Sequence, residues 1–488
     1  MEERKGFGTN FGFLMASVGS AVGLGNIWGF PNKMGASGGF TFLIVYLVLA
    51  VLCGFIVMVS ELALGRKTGK GVVSAYQALS KRFKWVGWLG ILSPFFILFF
   101  YCALGGYCIK YTVLNIGDLF HASFGANALA ETAVANGHSL GAEVFGAFMS
   151  SPTEAIIFGL IFVALTMLIV MGGVSGGIEK VCSVGMPALF VMLLICIIRA
   201  CTLEGAVDGL KYMFVPGWAV TNGVIDKAPN FFGVLSAAGG QMFFSLSLGM
   251  GIMITYGSYL DKKENLQKNA LLIIIMDTLV ALMAGLCVIP GRFALDPTGS
   301  LGGPKLLFVT MQNVFSRMGP IGPIFGILFY LLVVFAAISS SISLLEAVVA
   351  HFVDNARDAG KGDKRKAYAL IAAVAVGVGA MLICADSLGE ASFTPWRLLN
   401  LPAESIRTWN DCWLDFFDML SEGIMMPLGA LMMTLMVGWE LGPDVVKDEC
   451  EASGHAMASY GFYKVCIKYI TPLCMILVLY GQIKEFFF

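Results

Sequence analysis

The sequence is short of charged residues. Of its 488 residues, 13% are Asp, Glu, Lys or Arg and 58% are hydrophobic, whereas a soluble domain has about 25% charged residues. The formal net charge is −1, so no overall positive field exists to hold a nucleic-acid backbone. The 38 Phe and 26 Met exclude a disordered chain. These values exclude a soluble enzyme and nucleic-acid binding as the main activity, and they indicate a polytopic membrane protein.

Metal ligands and reactive motifs are also scarce. His121 and His138 share one predicted loop, while His351 and His455 stand alone, so no zinc-ligand spacing occurs. The 12 cysteines are scattered without a C-x-x-C pair. No nucleophile and base form a recognisable motif, so no enzymatic role is expected. The amino-terminal segment mixes both charges ahead of a glycine-bearing run, and we expect no removable signal peptide.

Long apolar runs, by contrast, are abundant. A helix needs about 20 such residues to cross a bilayer. The runs lie at residues 6–32, 34–60, 85–109, 155–173, 181–198, 228–260, 269–291, 318–345, 367–385, 423–439 and 465–483. The sequence therefore predicts an all-α membrane protein with eleven transmembrane helices and one membrane domain over residues 1–488.

Basic residues are distributed unevenly between the loops. Starting from the amino terminus, 20 of the 31 Lys and Arg fall on one side, and the long loop at 116–153 has none. The positive-inside rule then predicts a cytoplasmic amino terminus in a cell membrane, and an odd number of helices places the carboxyl terminus outside.

Two of the spans contain glycine clusters, at residues 19–26 and 239–251. Glycine costs a helix about 1 kcal/mol relative to alanine, and lipid cannot satisfy unwound backbone. These are the first and sixth spans, which correspond if residues 6–202 and 228–439 are inverted repeats of five helices and 461–483 is an extra helix. The pattern favours helices broken at mid-membrane, where helix ends and free carbonyls bind ions. Close packing through small residues is the alternative.

Five segments resemble the neurotransmitter:sodium symporter family, in particular its bacterial eleven-helix amino-acid transporters of the leucine-transporter type. They are GSAVGLGNIWGFP at 19–31, SELALGR at 60–66, GGQMFFSLSLGMG at 239–251, DTLVALMAGL at 277–286 and FAAISSSIS at 335–343. The resemblance implies sodium-coupled import of a neutral, mainly apolar amino acid by alternating access, with helices 1, 2, 6 and 7 rocking against helices 3, 4, 8 and 9.

The resemblance also implies two sodium sites. The first comprises the Ala21 carbonyl, Asn26, Ser245 and Asp277. The second comprises the carbonyls of Gly19, Val22 and Ala336 and the hydroxyls of Ser339 and Ser340. Without the resemblance, Asp277 could be an acid hydrogen-bonded between helices, and the serine run could bond to its own helix.

A substrate site follows in the same way. The carboxylate of the substrate would contact the amides of Leu24 and Gly25 and the Tyr101 hydroxyl. The ammonium group of the substrate would contact the carbonyls of Ala21 and Phe244 and the Ser247 hydroxyl. The side-chain pocket would comprise Ile97, Met250, Ser340 and Leu344, with Tyr101 and Phe244 as a lid. Gly23 favours an amino acid, because the family's monoamine carriers place an acid there.

The implied gates match the family only in part. Arg4, Asp354 and Tyr259 match its cytoplasmic gate, and Glu61 matches an acid that accepts bonds from unwound backbone. On the outer side Gln241 and Asp418 remain, but Gly29 stands where the family usually has arginine. The outer gate is therefore expected to close weakly or through water.

Ala281 marks a second departure, since chloride-dependent members have serine there. Asp277 lies one turn earlier and could supply the missing negative charge, so chloride-independent transport is expected. Two alternatives stay open: a sodium-dependent amino-acid sensor that transports poorly, and a proton-coupled amino-acid or amine carrier on the same architecture.

Overall fold

The computed structural model describes residues 6–300, 303–362, 364–391, 393–398, 400 and 411–487. Within these ranges the regular structure is helical, and no strand occurs. The prediction of an all-α fold is confirmed.

The helices are numbered here by the span to which they belong. Helices 1a and 1b are Asn10–Ala21 and Gly25–Ala36, and helices 6a and 6b are Phe231–Ser245 and Ile252–Gly257. The others are helix 2 (Phe40–Thr68), helix 3 (Val86–Leu119), helix 4 (Pro152–Met171), helix 5 (Val174–Cys201), helix 7 (Leu266–Leu295), helix 8 (Gly319–Asp358), helix 9 (Arg365–Gly389), helix 10 (Trp413–Leu441) and helix 11 (Tyr460–Lys484). Shorter helices between them include Val72–Leu79, Leu140–Met149, Ala206–Phe214 and Asp444–Glu451.

The number of membrane-spanning helices is consistent with the eleven that the sequence predicts. Nine helices of the described residues are long and apolar enough to cross a membrane, and the bent pair 1a and 1b makes ten. Helices 6a and 6b are each too short to cross alone, but together they occupy the predicted sixth span. The total is consistent with eleven spans, and the boundaries of the two predicted repeats stay a prediction.

Both predicted helix breaks are present. Helices 1a and 1b meet at an angle of 44°, and Val22 between them has extended backbone angles (φ −76°, ψ 97°). In the sixth span Ser247, Gly249 and Gly251 have φ of 54°, 75° and 72°, which an α-helix does not accommodate. Close packing of two continuous helices is therefore the wrong interpretation of both glycine clusters.

Several helices extend beyond the apolar runs that predicted them. Helix 8 was expected over 318–345 but continues to Asp358, and helix 3 continues from the predicted end at 109 to Leu119. Hydrophobicity marks the part of a helix inside the bilayer, whereas backbone hydrogen bonding continues into polar sequence. The extension of helix 8 places Glu346 and Asp354 on the same helix as the predicted sodium ligands.

Helix 3 lies at the centre of the fold and packs against helices 4, 8 and 9. In its most apolar stretch 78% of the residues are buried, compared with 33% in helix 4 and 28% in helix 5. Helix 1a packs against helices 5, 7 and 8, and helix 6a packs against helices 2 and 11. The two broken helices are thus enclosed by the bundle, while helices 4 and 5 lie at its perimeter.

Candidate binding site at the helix breaks

A small cavity lies where the two breaks meet helices 3 and 8. Its volume is about 10 Å³, close to the minimum needed for one water molecule. It is lined by Ser20, Ala21, Gly23, Gly25, Ile97, Tyr101, Phe244, Ser247, Met250, Ser340 and Leu344. Ten of these eleven residues are those that the sequence assigned to the substrate, and Ser20 is the addition. None of the eleven carries a charged side chain.

The first break presents backbone groups beside this cavity. The Leu24 N–H donates to the Tyr101 hydroxyl at 2.8 Å, so Leu24 contacts a residue of the cavity wall without lining the cavity itself. The Gly25 carbonyl accepts from Gln241 Nε2 at 2.6 Å. Gln241, which was expected at the outer gate, thus fixes the beginning of helix 1b to helix 6a.

Two glycines of the first break allow other side chains to approach closely. A Cβ atom on Gly23 would overlap the Ser340 and Tyr101 hydroxyl oxygens, and one on Gly25 would lie 2.8 Å from Phe244 Cδ1. The aromatic rings of Tyr101 and Phe244 have centroids 6.3 Å apart. These contacts leave no room for a carboxylate side chain at residue 23.

Asp277 lies beside the cavity and is fully buried. Its carboxylate accepts from Asn26 Nδ2 at 2.7 Å, from Ser245 Oγ at 3.0 and 3.1 Å and from the Tyr46 hydroxyl at 3.3 Å. These donors are all neutral, and a buried carboxylate is costly unless a cation compensates it. The structure therefore brings together three residues of the predicted first sodium site, Asn26, Ser245 and Asp277, and places Tyr46 beside them.

The predicted second sodium site lies between helices 1a and 8. Ser340 Oγ is 3.2 Å from the Gly19 carbonyl oxygen, and Ser339 Oγ is 3.4 Å from that of Val22. Ser339 also donates to the Ala336 carbonyl at 2.9 Å. This is a bond within helix 8, as expected in the alternative interpretation that the serine run bonds to its own helix. All five residues are thus neighbours, and hydroxyl and unwound carbonyl oxygens are ligands that suit sodium.

Glu61 is buried beside the second break. Its Oε1 accepts from the Gly249 N–H at 2.8 Å, so the side chain replaces a helical hydrogen bond that the break removes. Its location agrees with the structural role expected from the sequence.

Two residues of the expected cytoplasmic gate lie at the face of the bundle where helix 1a begins, and Arg4 lies outside the described residues. Asp354 Oδ2 accepts from the Gly71 N–H at 2.9 Å. Tyr259 donates to Glu346 Oε1 at 2.6 Å, and Arg365 forms a bidentate pair with Glu346 at 2.5 and 3.0 Å. Glu346 is fully buried. It is a single acid in an apolar stretch, and that signal could have identified it.

At the opposite face Lys33 of helix 1b forms an ion pair with Glu422 of helix 10. Each of these residues lies four positions after the one that the family pattern indicated, Gly29 and Asp418 respectively. The sequence pattern does not indicate this pair, because Lys33 and Glu422 lie far apart in the chain and each is one turn beyond the family's gate position.

A cavity between two discontinuous membrane helices is typical of secondary transporters, and this is the class that the fold and site define. The model of the sodium:neurotransmitter symporter family matches residues 4–127 and 154–395. The chain belongs to this family, and it is a sodium-dependent transporter rather than an enzyme.

Similar proteins cover nearly the whole chain. An uncharacterized sodium-dependent transporter of Bacillus subtilis, YhdH, is 31% identical over 485 residues, covering 96% of each protein. One from Haemophilus influenzae is 28% identical over 491 residues, covering 98% of each. The crystal structure of MhsT in complex with L-phenylalanine has a TM-score of 0.81 and 31% identity, covering 98% of this chain and all of that one.

Proposed function

We propose that this transporter imports a neutral, mainly apolar amino acid with sodium by alternating access, with the face at helix 1a in the cytoplasm. The observation that carries the proposal is the cavity at the two helix breaks, whose lining has backbone polar groups and hydroxyls but no charged side chain. MhsT, which is similar along the whole chain, was crystallised with L-phenylalanine.

The polar ends of an amino acid have complementary groups in this cavity. The Leu24 and Gly25 amides and the Tyr101 hydroxyl would bind the carboxylate, while the Ala21 and Phe244 carbonyls and the Ser247 hydroxyl would bind the ammonium group. The substrate side chain would then lie against Ile97, Met250, Leu344 and Ser340. A charged side chain would lose its hydration there without gaining a partner.

The small volume of the cavity means that side chains must move when a substrate binds. Met250 is the best candidate, because its unbranched side chain adopts many shapes. A pocket that expands by moving methionine favours several apolar amino acids of different size over one.

Two sodium ions would accompany the substrate. Asn26, Ser245, Asp277 and the Ala21 carbonyl would hold the first, together with the substrate carboxylate. Gly19, Val22, Ala336, Ser339 and Ser340 would hold the second. At −100 mV the membrane potential supplies about 2.3 kcal/mol for each charge that moves inward. Because Asp277 would supply a negative charge as a ligand of the first site, we further propose that transport needs no chloride.

A binding assay on the purified protein and a transport assay on the protein in liposomes test these proposals. A thermal-shift screen of the twenty amino acids with and without sodium first identifies the ligand, since specific binding stabilises the folded protein. We expect a radiolabelled form of that amino acid to accumulate under an inward sodium gradient, to stop accumulating when choline replaces sodium, and to continue when gluconate replaces chloride.

Other outcomes would support the alternatives. Sodium-dependent binding without accumulation would indicate a sensor. Accumulation that follows a pH gradient and ignores sodium would indicate a proton-coupled carrier. No stabilisation by any amino acid in sodium would contradict the proposed site.

A further inference from the structure

Gln241 packs closely against helix 1b at residue 29. A Cβ atom on Gly29 would lie 2.8 Å from Gln241 Oε1, and Gln241 is held in place by its bond to the Gly25 carbonyl. Glycine at residue 29, where the family usually has arginine, therefore allows Gln241 to lie close to helix 1b.

Lys33 lies one turn further along helix 1b. Side chains of an α-helix lean toward its amino-terminal end, and the four-carbon stem of Lys33 gives its ammonium group a long reach. The ammonium group forms an ion pair with Glu422 of helix 10, and the Lys33 and Glu422 side chains are 24% and 8% exposed.

The position of this pair relates it to the cavity. Gly25, which lines the cavity, lies two turns before Lys33 on helix 1b. Glu422 Oε1 lies 3.0 Å from where a Cβ of Gly240 would be, and Gly240 is one turn before the cavity residue Phe244 on helix 6a. The pair therefore joins helices 1b and 10 between the cavity and the face opposite helix 1a.

We propose that Lys33 and Glu422 form the outer gate of this transporter, displaced by one helical turn on each helix from the family's gate positions. Asp418, one turn before Glu422 and close enough to interact with it and with Lys33, offers the ammonium group a second partner as the gate opens. This inference rests on the proposed alternating access and on the proposed orientation.

The partly buried position of Lys33 suits a gate. A fully buried ion pair would be costly to separate, and an exposed one would be too weak to bias a conformational equilibrium. A pair with one partner at the water boundary lies between these limits, so it can favour the closed state and still separate in each transport cycle.

The test measures access to the cavity directly and needs no substrate. Ile97→Cys introduces a reporter thiol into the cavity, and its rate of reaction with a membrane-impermeant methanethiosulfonate is measured on intact cells. The native protein supplies the background rate of its own cysteines. We expect Lys33→Gln and Glu422→Gln in this reporter protein each to raise the reaction rate about threefold to tenfold.

Three further variants test whether the Lys33–Glu422 pair controls the reaction rate of the reporter thiol. The exchange Lys33→Glu with Glu422→Lys should return the rate toward that of the reporter protein. Asp418→Asn should change it less than Glu422→Gln. Lys110→Gln is the matched control, because Lys110 pairs with Glu154 to join helices 3 and 4, and it should leave the rate unchanged.

Unchanged rates in both Lys33→Gln and Glu422→Gln would overturn the proposal, as would an exchange variant no slower than the single variants. If a neutral variant does not fold, Glu422→Asp, which keeps the charge but shortens the side chain, must still give an increased rate. Because no amino acid is added, failure of this test is distinct from failure of the proposed substrate or sodium coupling.

Discussion

At the scale of single residues, Gly23 shows how the cavity depends on the absence of a side chain. A Cβ atom there would overlap the hydroxyl oxygens of Ser340 and Tyr101. We therefore expect Gly23→Ala to abolish the sodium-dependent thermal stabilisation that the native ligand gives, while the protein remains folded. Gly146→Ala is the control, since Gly146 has open space around it and alanine favours a helix. Normal ligand binding by Gly23→Ala would show that the site can shift to accept a methyl group.

Asp277 is the residue on which the sodium proposal depends most. Its carboxylate is buried among neutral donors, so a cation beside it gains a charge partner that an amide cannot replace. We expect Asp277→Asn to raise the sodium concentration for half-maximal binding at least about tenfold, which corresponds to about 1.4 kcal/mol.

Sodium titration of ligand binding measures this change. Asp208→Asn, which alters an exposed pair with Lys211, should have no effect. A sodium dependence that is the same in Asp277→Asn and the native protein would argue for a purely interhelical hydrogen-bonding role.

The sequence allowed many residues of the site to be predicted, and the exceptions have a common cause. Ser20 lies in a run of small residues, where nothing in the pattern distinguishes a cavity wall from a packing contact. Tyr46 approaches Asp277 from helix 2, and Lys33 reaches Glu422 across almost 400 residues of sequence. Such contacts depend on side-chain direction and on the packing of distant helices.

At the scale of helices, Glu346 of helix 8 connects helix 8 to the end of helix 6b and to the start of helix 9. It accepts from Tyr259 just after helix 6b and pairs with Arg365 at the start of helix 9. Removing one partner of a buried pair leaves an uncompensated charge and costs about 3–5 kcal/mol. We therefore expect Arg365→Met to lower the Tm of the purified protein in detergent.

The double variant Arg365→Met with Glu346→Leu serves as the comparison. Apolar replacement of both members of a buried pair is often neutral or stabilising, so the double variant should have a higher Tm than Arg365→Met alone. The opposite order would mean that Arg365 stabilises the protein through contacts other than Glu346.

Helix breaks were easier to predict than helix ends. Glycine clusters reveal a break because they disfavour helix at a depth where lipid offers no alternative partner. The ends of helices 3 and 8 extend into polar sequence, where hydrophobicity no longer marks the helix. Glu346 and Asp354 lie in or beyond that transition on helix 8, so the apolar run did not show that they share a helix with Ser339 and Ser340.

At the scale of the whole molecule, the cavity and the cluster around Asp277 share the first and sixth helix breaks. Substrate and sodium should therefore bind cooperatively, and coupling of two binding equilibria is reciprocal. We expect sodium to increase amino-acid affinity by the same factor by which the amino acid increases sodium affinity. Equilibrium titrations of each ligand at fixed concentrations of the other measure both factors, and a factor of one in both titrations would contradict cooperative binding at the shared helix breaks.

Composition alone identified the class of protein, because few charges and many long apolar runs fit only a polytopic membrane protein. The orientation of the chain rests on its loop charges and stays a prediction. A cysteine introduced in the loop at 116–153, which has no Lys or Arg, can be treated with a membrane-impermeant reagent on intact cells. Labelling of this cysteine would show that the loop lies outside the cell.

The uneven enclosure of the helices has a consequence for how this protein can vary. Helix 3 is surrounded by other helices, whereas much of helices 4 and 5 faces away from the bundle. A library of all single substitutions, selected for growth on the imported amino acid, should retain apolar exchanges freely along the outward stripes of helices 4 and 5. Along helix 3 the same apolar substitutions should be removed by the selection. The positions that tolerate substitution would therefore identify the residues that face lipid.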